Sequence, residues 1–210
     1  MTAQLLTLSS PDGPFTILAR DGVVLASGWT ADLSELTGQI HPELRPADVE
    51  AVADLGPISR AVEKFYAGEP APAMAVPVLQ KSGPFRSHAW DVLRTVRPGF
   101  PVTYTEYAEL SGNAKAVRAA ASACAFNAAA LFVPCHRVIR TDGSLGGFRW
   151  GLAIKESLLA REARESQPGR DAGNHAAVLT QNALSPNAGI SPTLSHFLEE
   201  SERASAKNPR

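Results

Sequence analysis

The chain has 210 residues, a mass of 22.2 kDa and a formal net charge of −1 at pH 7, and its 44% hydrophobic and 20% charged residues exclude wholesale disorder. No apolar run approaches the roughly 20 residues that span a bilayer, and Cys124 and Cys135 are too few for a disulfide framework or a cysteine-rich zinc site. We therefore expect a cytoplasmic protein with free thiols and no membrane contact.

The charges are divided unevenly along the chain. Residues 1–80 contain ten acidic and four basic side chains, a net charge of −6, so the remainder carries +5. Within residues 113–149 the net charge is +4. A basic half in a near-neutral chain indicates nucleic-acid contact, although random variation of the surface would give the same split.

The first thirty residues predict a β-meander. Short β-prone runs at 5–8, 15–18 and 23–26 are separated by turn-forming residues. Residues 31–56 are acidic and mixed, and no element is predicted there. A helix is expected from Ile58 to Tyr66, and the proline- and glycine-rich stretch 70–83 indicates a linker between two subdomains.

Helices dominate the pattern from residue 84 onward. One helix is expected to end before Pro98-Gly99, and a second runs over 103–110 with Thr103 at capping-box spacing. A turn then leads to an alanine-rich helix over 114–126. Helix, glycine-containing turn and helix form the outline of a helix-turn-helix, which is also the outline of a plain helical hairpin.

The remaining elements surround a Pro134-Cys135-His136-Arg137 sequence. Residues 131–133 are expected to be extended, and a closing helix is predicted over 152–165. Its core-facing residues should be Leu152, Leu158 and Leu159. Residues 166–210 are rich in Ser, Pro, Asn, Gly and Ala, which predicts a disordered tail.

Cys135 is the first candidate for chemistry. An unperturbed thiol has a pKa of about 8.5, so a nucleophilic cysteine needs a base or a positive environment nearby. His136 and Arg137 follow it directly, and a bridging water would serve as well as direct contact with His136. The alternative interpretation is that Cys135 is a small buried hydrophobic residue. Cys124 has no charged neighbour and is expected to be structural.

Arg118 is the second candidate. It lies among small residues of the alanine-rich helix, where it either pairs with a local acidic residue or inserts into a nucleic-acid groove. The helix-turn-helix outline, the basic segment and the Cys-His sequence overlap, which favours chemistry on DNA. No metal site is predicted. Four histidines show no metal-ligand spacing with either cysteine, namely His41, His88, His175 and His196.

Residues 84–165 resemble the O6-alkylguanine-DNA alkyltransferases, the methylated-DNA–protein-cysteine methyltransferase family, and most closely its adaptive-response branch. The likeness rests above all on Pro134-Cys135-His136-Arg137-Val138-Ile139. It extends to Pro84-Phe85, Val102-Thr103-Tyr104, the run from Gly112 to Ala119, Gly147-Phe148-Arg149-Trp150-Gly151 and Lys155-Glu156. Residues 1–80 resemble the N-terminal domain of the family more loosely.

The resemblance implies a two-domain fold. Residues 1–80 would form an α/β domain of ribonuclease-H-like character, and residues 81–165 a small helical, winged-helix-like domain that contains the helix-turn-helix and the active site. The tail 166–210 has no counterpart in the family. Asn127-Ala128-Ala129-Ala130 stands where the family has Asn-Pro-x-Pro, and we expect the loss of both prolines to loosen the loop before Cys135.

The resemblance also assigns catalytic roles. Cys135 matches the acceptor that attacks the alkyl carbon on guanine O6. His136 matches the general base, acting through a water, and Glu162 the carboxylate that orients it. Asn127 matches the asparagine that braces the cysteine turn, and Tyr104 the phenol that donates toward the departing guanine.

Contacts with DNA are implied in the same way. Arg118 matches the finger that enters the minor groove and fills the space of the extruded nucleotide. The other implied DNA contacts are Asn113, Lys115, Ala119 and Ser122. The flipped guanine is expected beside Tyr104, Phe148 and main-chain groups of Cys135, Val138 and Arg149.

The implied function is direct repair of O6-alkylguanine, and of O4-alkylthymine, in double-stranded DNA by a monomer that needs no cofactor. Because the thioether product is not cleaved by ordinary side chains, one turnover per molecule is expected. Two other functions stay open: a lesion-binding protein without transfer, which would lack the acceptor cysteine, and a transcription regulator that uses the helix-turn-helix alone.

Overall fold

The computed structural model describes residues 2–165, and the chain begins with three antiparallel strands. They are β1 (Thr2–Ser10), β2 (Gly13–Arg20) and β3 (Val23–Gly28), paired in chain order. Asp21 and Gly22 both have positive φ, 52° and 76°, as a two-residue turn of primed type requires. The predicted meander is therefore confirmed.

The region without a sequence prediction supplies a fourth strand. A short helix, α1 (Leu33–Thr37), is followed by β4 (Asp48–Ala51), which pairs in parallel with β1. The sheet is mixed, with the order β3-β2-β1-β4. β4 is an edge strand with no buried residue, so it lacks the apolar alternation by which a strand is recognised in a sequence.

Two helices cover the sheet and lead out of the N-terminal half. α2 (Pro57–Tyr66) agrees with the helix predicted from Ile58, and its buried residues include Val62 and Phe65. α3 (Ala71–Ala75) lies within the stretch predicted as a linker. That stretch also pairs with the sheet, because Val24 of β3 forms an isolated bridge with Val78.

The next elements form the helical part of the chain. They are α4 (Pro84–Thr95), β5 (Val102–Thr103), α5 (Tyr104–Leu110) and α6 (Val117–Ala125). The capping box of α5 is present: the Thr103 side chain accepts from the Glu106 N–H, and the Glu106 carboxylate accepts from the Thr103 N–H.

The alanine-rich helix α6 begins at Val117, three residues later than predicted. The Asn113 side chain accepts a hydrogen bond from the Lys115 N–H, and the Asn113 carbonyl accepts one from the Ala116 N–H. These two bonds close a separate turn over residues 113–116, a local side-chain bond typical of asparagine, and α6 begins only after it.

One further prediction near the cysteine motif needs correction. Residues 131–133 are not a simple extended run, because Leu131 has a φ of 76° and lies in a turn between the bridged residues Ala130 and Val133. The following 3-10 turn, Cys135–Arg137, leads into β6 (Val138–Ile139), which pairs in parallel with β5.

The closing helix α7 (Leu152–Glu165) has the predicted bounds. Leu158 is fully buried, but Leu152 is 52% exposed and does not face the core. The fully buried positions instead include Lys155, three residues before Leu158, and Glu162, four residues after it, which defines one helical face. A sequence pattern of apolar residues misses this face because two of its members are charged.

The tail predicted to be disordered, 166–210, lies outside the described residues. Among residues 2–165, no helix is long and apolar enough to cross a membrane. One apolar cluster joins the sheet to the helical part, with Phe15 of β2, Phe132 and Leu158 among its buried members. This shared packing holds the cysteine motif against the sheet.

Candidate active site around Cys135

The Cys135 thiol is held by a buried asparagine. Asn127 Nδ2 donates to Cys135 Sγ at 3.1 Å and to the Val133 carbonyl at 2.8 Å. Asn127 Oδ1 accepts from the Ala129 N–H at 3.1 Å. Asn127 is 3% exposed and Cys135 7% exposed. The two residues that sequence reasoning placed together are therefore in direct contact.

The loop before Cys135 is bound to the edge of the sheet. Ser27 of β3 donates through its N–H to the Ala128 carbonyl at 2.8 Å and through Oγ to the Ala130 carbonyl at 2.7 Å. The Ala130 N–H in turn donates to the Ser27 carbonyl at 3.2 Å. Strand-like pairing with Ser27 thus orders residues 128–130. These residues are alanines where the family has two prolines, a replacement that predicts a looser loop.

His136 and Arg137, the two residues that follow Cys135, form a buried cluster with Glu162. His136 Nε2 lies 3.0 Å from Glu162 Oε1, and Arg137 contacts both Glu162 oxygens, with Nε at 3.1 and 3.0 Å and Nη2 at 2.8 Å from Oε1. All three side chains are 0–1% exposed. The histidine and the glutamate assigned to one site are thus in contact, 26 positions apart in sequence.

The cluster determines which nitrogen of His136 carries the proton. Burial works against the charged form of Glu162, but His136 and Arg137 outweigh it and lower the pKa of this carboxyl to about 2. A carboxylate is only an acceptor, so His136 Nε2 is the donor. Burial also lowers the pKa of His136, against the opposing effect of Glu162. At neutral pH the ring is neutral and Nδ1 holds a free lone pair.

His136 Nδ1 is buried and has no hydrogen-bond partner among residues 2–165. Buried polar atoms in proteins nearly always have partners, so an orphaned ring nitrogen on the residue that follows Cys135 is a candidate for a chemical role. The lone pair of Nδ1 can accept a proton, directly or through a water. A ring nitrogen held in this way by a carboxylate has the chemistry that a base for a nearby nucleophile needs.

Burial raises the pKa of the Cys135 thiol, and the Asn127 hydrogen bond and the nearby Lys155 cation act in the opposite direction. The resting thiol is therefore protonated at neutral pH. It becomes nucleophilic only when a base removes its proton, and the thiolate so formed is stabilised by the Asn127 N–H donor and by the Lys155 and Arg149 cations.

Lys155 is a site residue that sequence reasoning did not assign. It is 0% exposed, and its ammonium donates to the carbonyls of Val138, at 2.6 Å, and of Leu145. Burial lowers its pKa. These two hydrogen bonds connect α7 to Val138, before the turn at 141–143, and to Leu145, after it. A lysine among leucines at helical spacing was the available signal.

Tyr104 lies at the start of α5, close to the segment around Gly146. A Cβ at Gly146 would lie 3.2 Å from Cε2 and 3.4 Å from the hydroxyl of Tyr104, and Gly146 has a φ of 68°. Burial and the neighbouring Cys124 and Cys135 sulfurs raise the pKa of Tyr104 to about 12. Its phenol is therefore a hydrogen-bond donor throughout the neutral range.

The segment after Gly146 packs on the N-terminal sheet. The ring centroid of Phe148 lies 6.0 Å from that of Trp29, and Trp150 lies so close to Gly28 that a Cβ there would be 2.0 Å from its Cζ2. Arg149, between the two aromatic residues, is exposed and donates to the Ala125 carbonyl at 3.0 Å. Val138, whose main chain is expected beside the flipped guanine, already uses its carbonyl to accept a hydrogen bond from Lys155.

The predicted DNA-contacting residues lie on and before α6. Asn113, Lys115, Arg118 and Ala119 are exposed, and Ser122 is half-buried. Arg118 has neither a hydrogen bond nor an ion pair with any residue that the structure describes, so the alternative of a local acidic partner is not supported. Its charge is available to a ligand.

Arg86 of α4 adds a second cation to this surface. Its Nη2 donates to Ser122 Oγ at 3.0 Å, and its guanidinium lies 4.4 Å from the ring centroid of Phe126, which is 57% exposed. No sequence signal points to Arg86, because it is far from α6 along the chain. Arg137, in contrast, is buried against Glu162 and adds no charge to the surface.

Cys124 is partly buried on α6, and burial raises the pKa of its thiol well above the ordinary value. This agrees with a structural residue. Within residues 2–165, no group of three or more His, Cys, Asp or Glu side chains is arranged to hold a metal ion.

Comparison with known proteins agrees with these features. The family model described as "6-O-methylguanine DNA methyltransferase, DNA binding domain" matches residues 84–164. The Cricetulus griseus methylated-DNA–protein-cysteine methyltransferase is 33% identical over 177 residues, which cover 80% of this chain and 82% of that protein. The chain belongs to the methylated-DNA–protein-cysteine methyltransferase family.

A second relative and one solved structure extend the comparison. The Escherichia coli bifunctional transcriptional activator/DNA repair enzyme Ada is 45% identical over 94 residues, which cover 45% of this chain and 27% of that protein. The crystal structure of Mycobacterium tuberculosis OGT in complex with DNA covers 77% of this chain and 93% of its own, with a TM-score of 0.64 and 25% identity. The fold is therefore that of the OGT alkyltransferases, a mixed sheet with helices. The chain spans only 27% of Ada and 41% of the matching Kluyveromyces lactis methyltransferase.

Proposed function

We propose that this protein repairs O6-alkylguanine in double-stranded DNA by transferring the alkyl group irreversibly to Cys135. The observation that carries the proposal is the contact set around the thiol. Asn127 donates to the sulfur, and the adjacent His136 presents an unprotonated Nδ1 because its Nε2 is bonded to a charged Glu162.

The proposed reaction needs no cofactor. His136 takes the thiol proton through a water, and the Cys135 thiolate attacks the alkyl carbon. A carbon–sulfur bond forms and the carbon–O6 bond breaks, with its electron pair passing to the guanine. The guanine gains one proton in place of the alkyl group, which balances the proton that His136 took from the thiol, and Tyr104 supports the departing base as a hydrogen-bond donor. Because the product is a thioether, each molecule reacts once.

Access to O6 requires that the guanine leave the base stack. Arg118 is proposed to enter the minor groove and to fill the space that the extruded nucleotide leaves. Its exposure and its lack of an acidic partner within residues 2–165 support this role. Asn113, Lys115, Ala119 and Ser122 would contact the duplex, and Phe148, Val138 and Arg149 the flipped base.

The OGT complex with DNA is a property of the M. tuberculosis protein, and it supports DNA as a partner here. The proposal further includes a monomer in the cytoplasm, activity on O4-alkylthymine, a ribonuclease-H-like domain over 1–80 and a winged-helix-like domain over 81–165. Phosphate contacts carry no base code, so binding should be independent of sequence and should weaken with salt.

The test is incubation with a duplex that contains one O6-methylguanine, followed by intact-mass measurement. We expect an increase of one methylene per protein molecule, at Cys135, with no further change under excess substrate. The Cys135→Ala variant should show no increase, and Cys124→Ser should react like the wild type. Binding of the lesion without a mass increase would indicate lesion recognition alone, and repeated turnover would contradict an irreversible acceptor.

A further inference from the structure

Gln80 occupies a place in the site that neither the catalytic residues nor the DNA surface explains. It lies after α3, in the stretch between the sheet and α4, and is half-buried. The preceding residues are fastened to β3: the Val24 N–H donates to the Pro77 carbonyl and the Leu79 N–H to the Val24 carbonyl, both at 2.9 Å. The Gln80 backbone is thus anchored to the sheet.

The Gln80 side chain makes two hydrogen bonds to the loop that holds the thiol. Its Nε2 donates to Asn127 Oδ1 at 3.1 Å, and its Oε1 accepts from the Ala128 N–H at 2.7 Å. The two partners, Asn127 and Ala128, begin the loop that leads to Cys135. The polarity of the Ala128 N–H is fixed, so the Gln80 oxygen must face it and the Gln80 nitrogen must face Asn127.

The orientation of the Asn127 amide is determined in the same way. Its oxygen accepts from Gln80 and from the Ala129 N–H, so its nitrogen must point to the Val133 carbonyl and to Cys135 Sγ. A donor on the amide oxygen polarises the amide and strengthens the N–H donors at its other end. The chain of hydrogen bonds therefore runs from Gln80 through Asn127 to the sulfur.

We infer that Gln80 is a positioning residue for Cys135, which fixes and polarises the Asn127 amide so that it stabilises the thiolate. This inference deepens the proposed function and rests on Cys135 as the alkyl acceptor. It also gives a role to Ala128, whose N–H needs a buried acceptor that Gln80 Oε1 supplies. Gln80 thereby links the N-terminal sheet to the nucleophile.

The test follows the ionisation of each thiol separately, by NMR of protein labelled with ¹³C at cysteine Cβ, with the Cys124→Ser variant to assign the two signals. Gln80→Met keeps the length of the side chain and removes both hydrogen bonds without adding charge. We expect the titration midpoint of Cys135 to rise by about one pH unit, the effect of weakening one hydrogen bond to the thiolate. The cations that act on Cys135, Lys155 and Arg149, are unchanged in this variant.

A double-mutant cycle with Asn127→Ala separates the relay from general loss of structure. The Cys135 titration midpoint of the double variant Gln80→Met/Asn127→Ala should equal that of Asn127→Ala alone. Gln4→Met, at an exposed position of β1, is the matched control, and its Cys135 titration midpoint should equal the wild-type value. If Asn127→Ala does not fold, the comparison of Gln80→Met with Gln4→Met decides.

An unchanged Cys135 midpoint in Gln80→Met would overturn the inference, even if that variant is less stable to heat. Equal effects of Gln80→Met with and without Asn127 would overturn it as well. In single-turnover transfer from O6-methylguanine duplex we expect a loss of about tenfold at neutral pH, recovered as the pH is raised. Failure of the wild type to accept a methyl group would refute the proposed function, whereas the thiol titration would still report on Gln80.

Discussion

Arg137 and Glu162 form an ion pair inside the protein that joins the cysteine motif to α7. The guanidinium contacts both carboxylate oxygens at 2.8–3.1 Å, and both side chains are removed from solvent. Arg137 also donates to the Val96 carbonyl. A buried pair of this kind is costly to break, because one partner would remain as an uncompensated charge. It keeps Glu162 ionised and thereby determines the tautomer of His136.

The charged state of Glu162 predicts an acid-dependent loss of stability. The carboxyl has a pKa of 4.5 in its ordinary state and about 2 in the folded protein, so the unfolded chain binds the proton first as the pH falls. Its contribution is complete above about pH 5 and is lost between about pH 5 and pH 2, to the extent of about 3 kcal/mol. Urea unfolding over this range should show a steeper fall for the wild type than for Glu162→Gln.

Glu63→Gln is a matched control for this experiment, since Glu63 is exposed on α2. It should follow the wild-type profile. Glu162→Gln should also slow methyl transfer, because a neutral amide no longer holds His136 in the tautomer with a free Nδ1. Equal acid profiles for Glu162→Gln and the wild type would mean that the folded carboxyl is not charged.

Lys155→Met tests the buried ammonium. The cation lowers the pKa of Cys135 and holds the carbonyls of Val138 and Leu145, so its removal should raise the thiol pKa and loosen the segment near Tyr104. We expect methyl transfer to slow by about tenfold or more at neutral pH. Lys64→Met, at an exposed position of α2, should react at the wild-type rate. A Cys135 titration that is unchanged in Lys155→Met would argue against electrostatic support from this residue.

Arg118→Ala tests the proposed finger. Since Arg118 would act only on the duplex, transfer from O6-methylguanine in DNA should fall by about tenfold or more, while transfer from a free O6-alkylguanine base should be unchanged. Arg60→Ala removes an exposed arginine from α2 and should affect neither reaction. Parallel losses with duplex and free base would place Arg118 in the chemistry or the folding rather than in DNA binding.

Gly28→Ala tests the contact between the sheet and the segment that follows Gly146. The new Cβ would lie 2.0 Å from Trp150 Cζ2, so the indole must move, at a cost of about 1–3 kcal/mol in the free energy of unfolding. Gly83→Ala is the control, since a Cβ at Gly83 meets no atom within 4 Å. Adding Trp150→Leu should recover most of the loss. If Gly28→Ala is as stable as Gly83→Ala, the indole is not packed on the strand.

Local chemistry made several elements predictable. The turns at 11–13 and 20–22 punctuate the first three strands, and the capping box at Thr103 marks the start of α5. In each case the signal and the structure it forms lie within a few residues, so no distant partner is needed. The Pro-Cys-His-Arg motif likewise identified the candidate thiol and its neighbouring base.

Other features depended on partners far away in sequence. β4 forms because β1 offers its edge, and Leu131 adopts a positive φ inside a loop that is pinned to Ser27. Without those partners, neither segment has a local preference that identifies its structure. The sequence pattern therefore predicts no element for residues 48–51 and a wrong backbone conformation for residue 131.

The sequence by itself determined which groups are available: one thiol followed by an imidazole, an asparagine eight residues before it, a glutamate on the last helix and a lone arginine on an alanine-rich helix. Tertiary structure decided their states. Contacts with His136 and Arg137 keep Glu162 charged against the effect of burial, which sets the proton on His136, and hydrogen bonds from Gln80 and Asn127 orient the donor at the sulfur. Protonation and donor direction depend on solvent exclusion and on distant partners, and linear sequence carries neither.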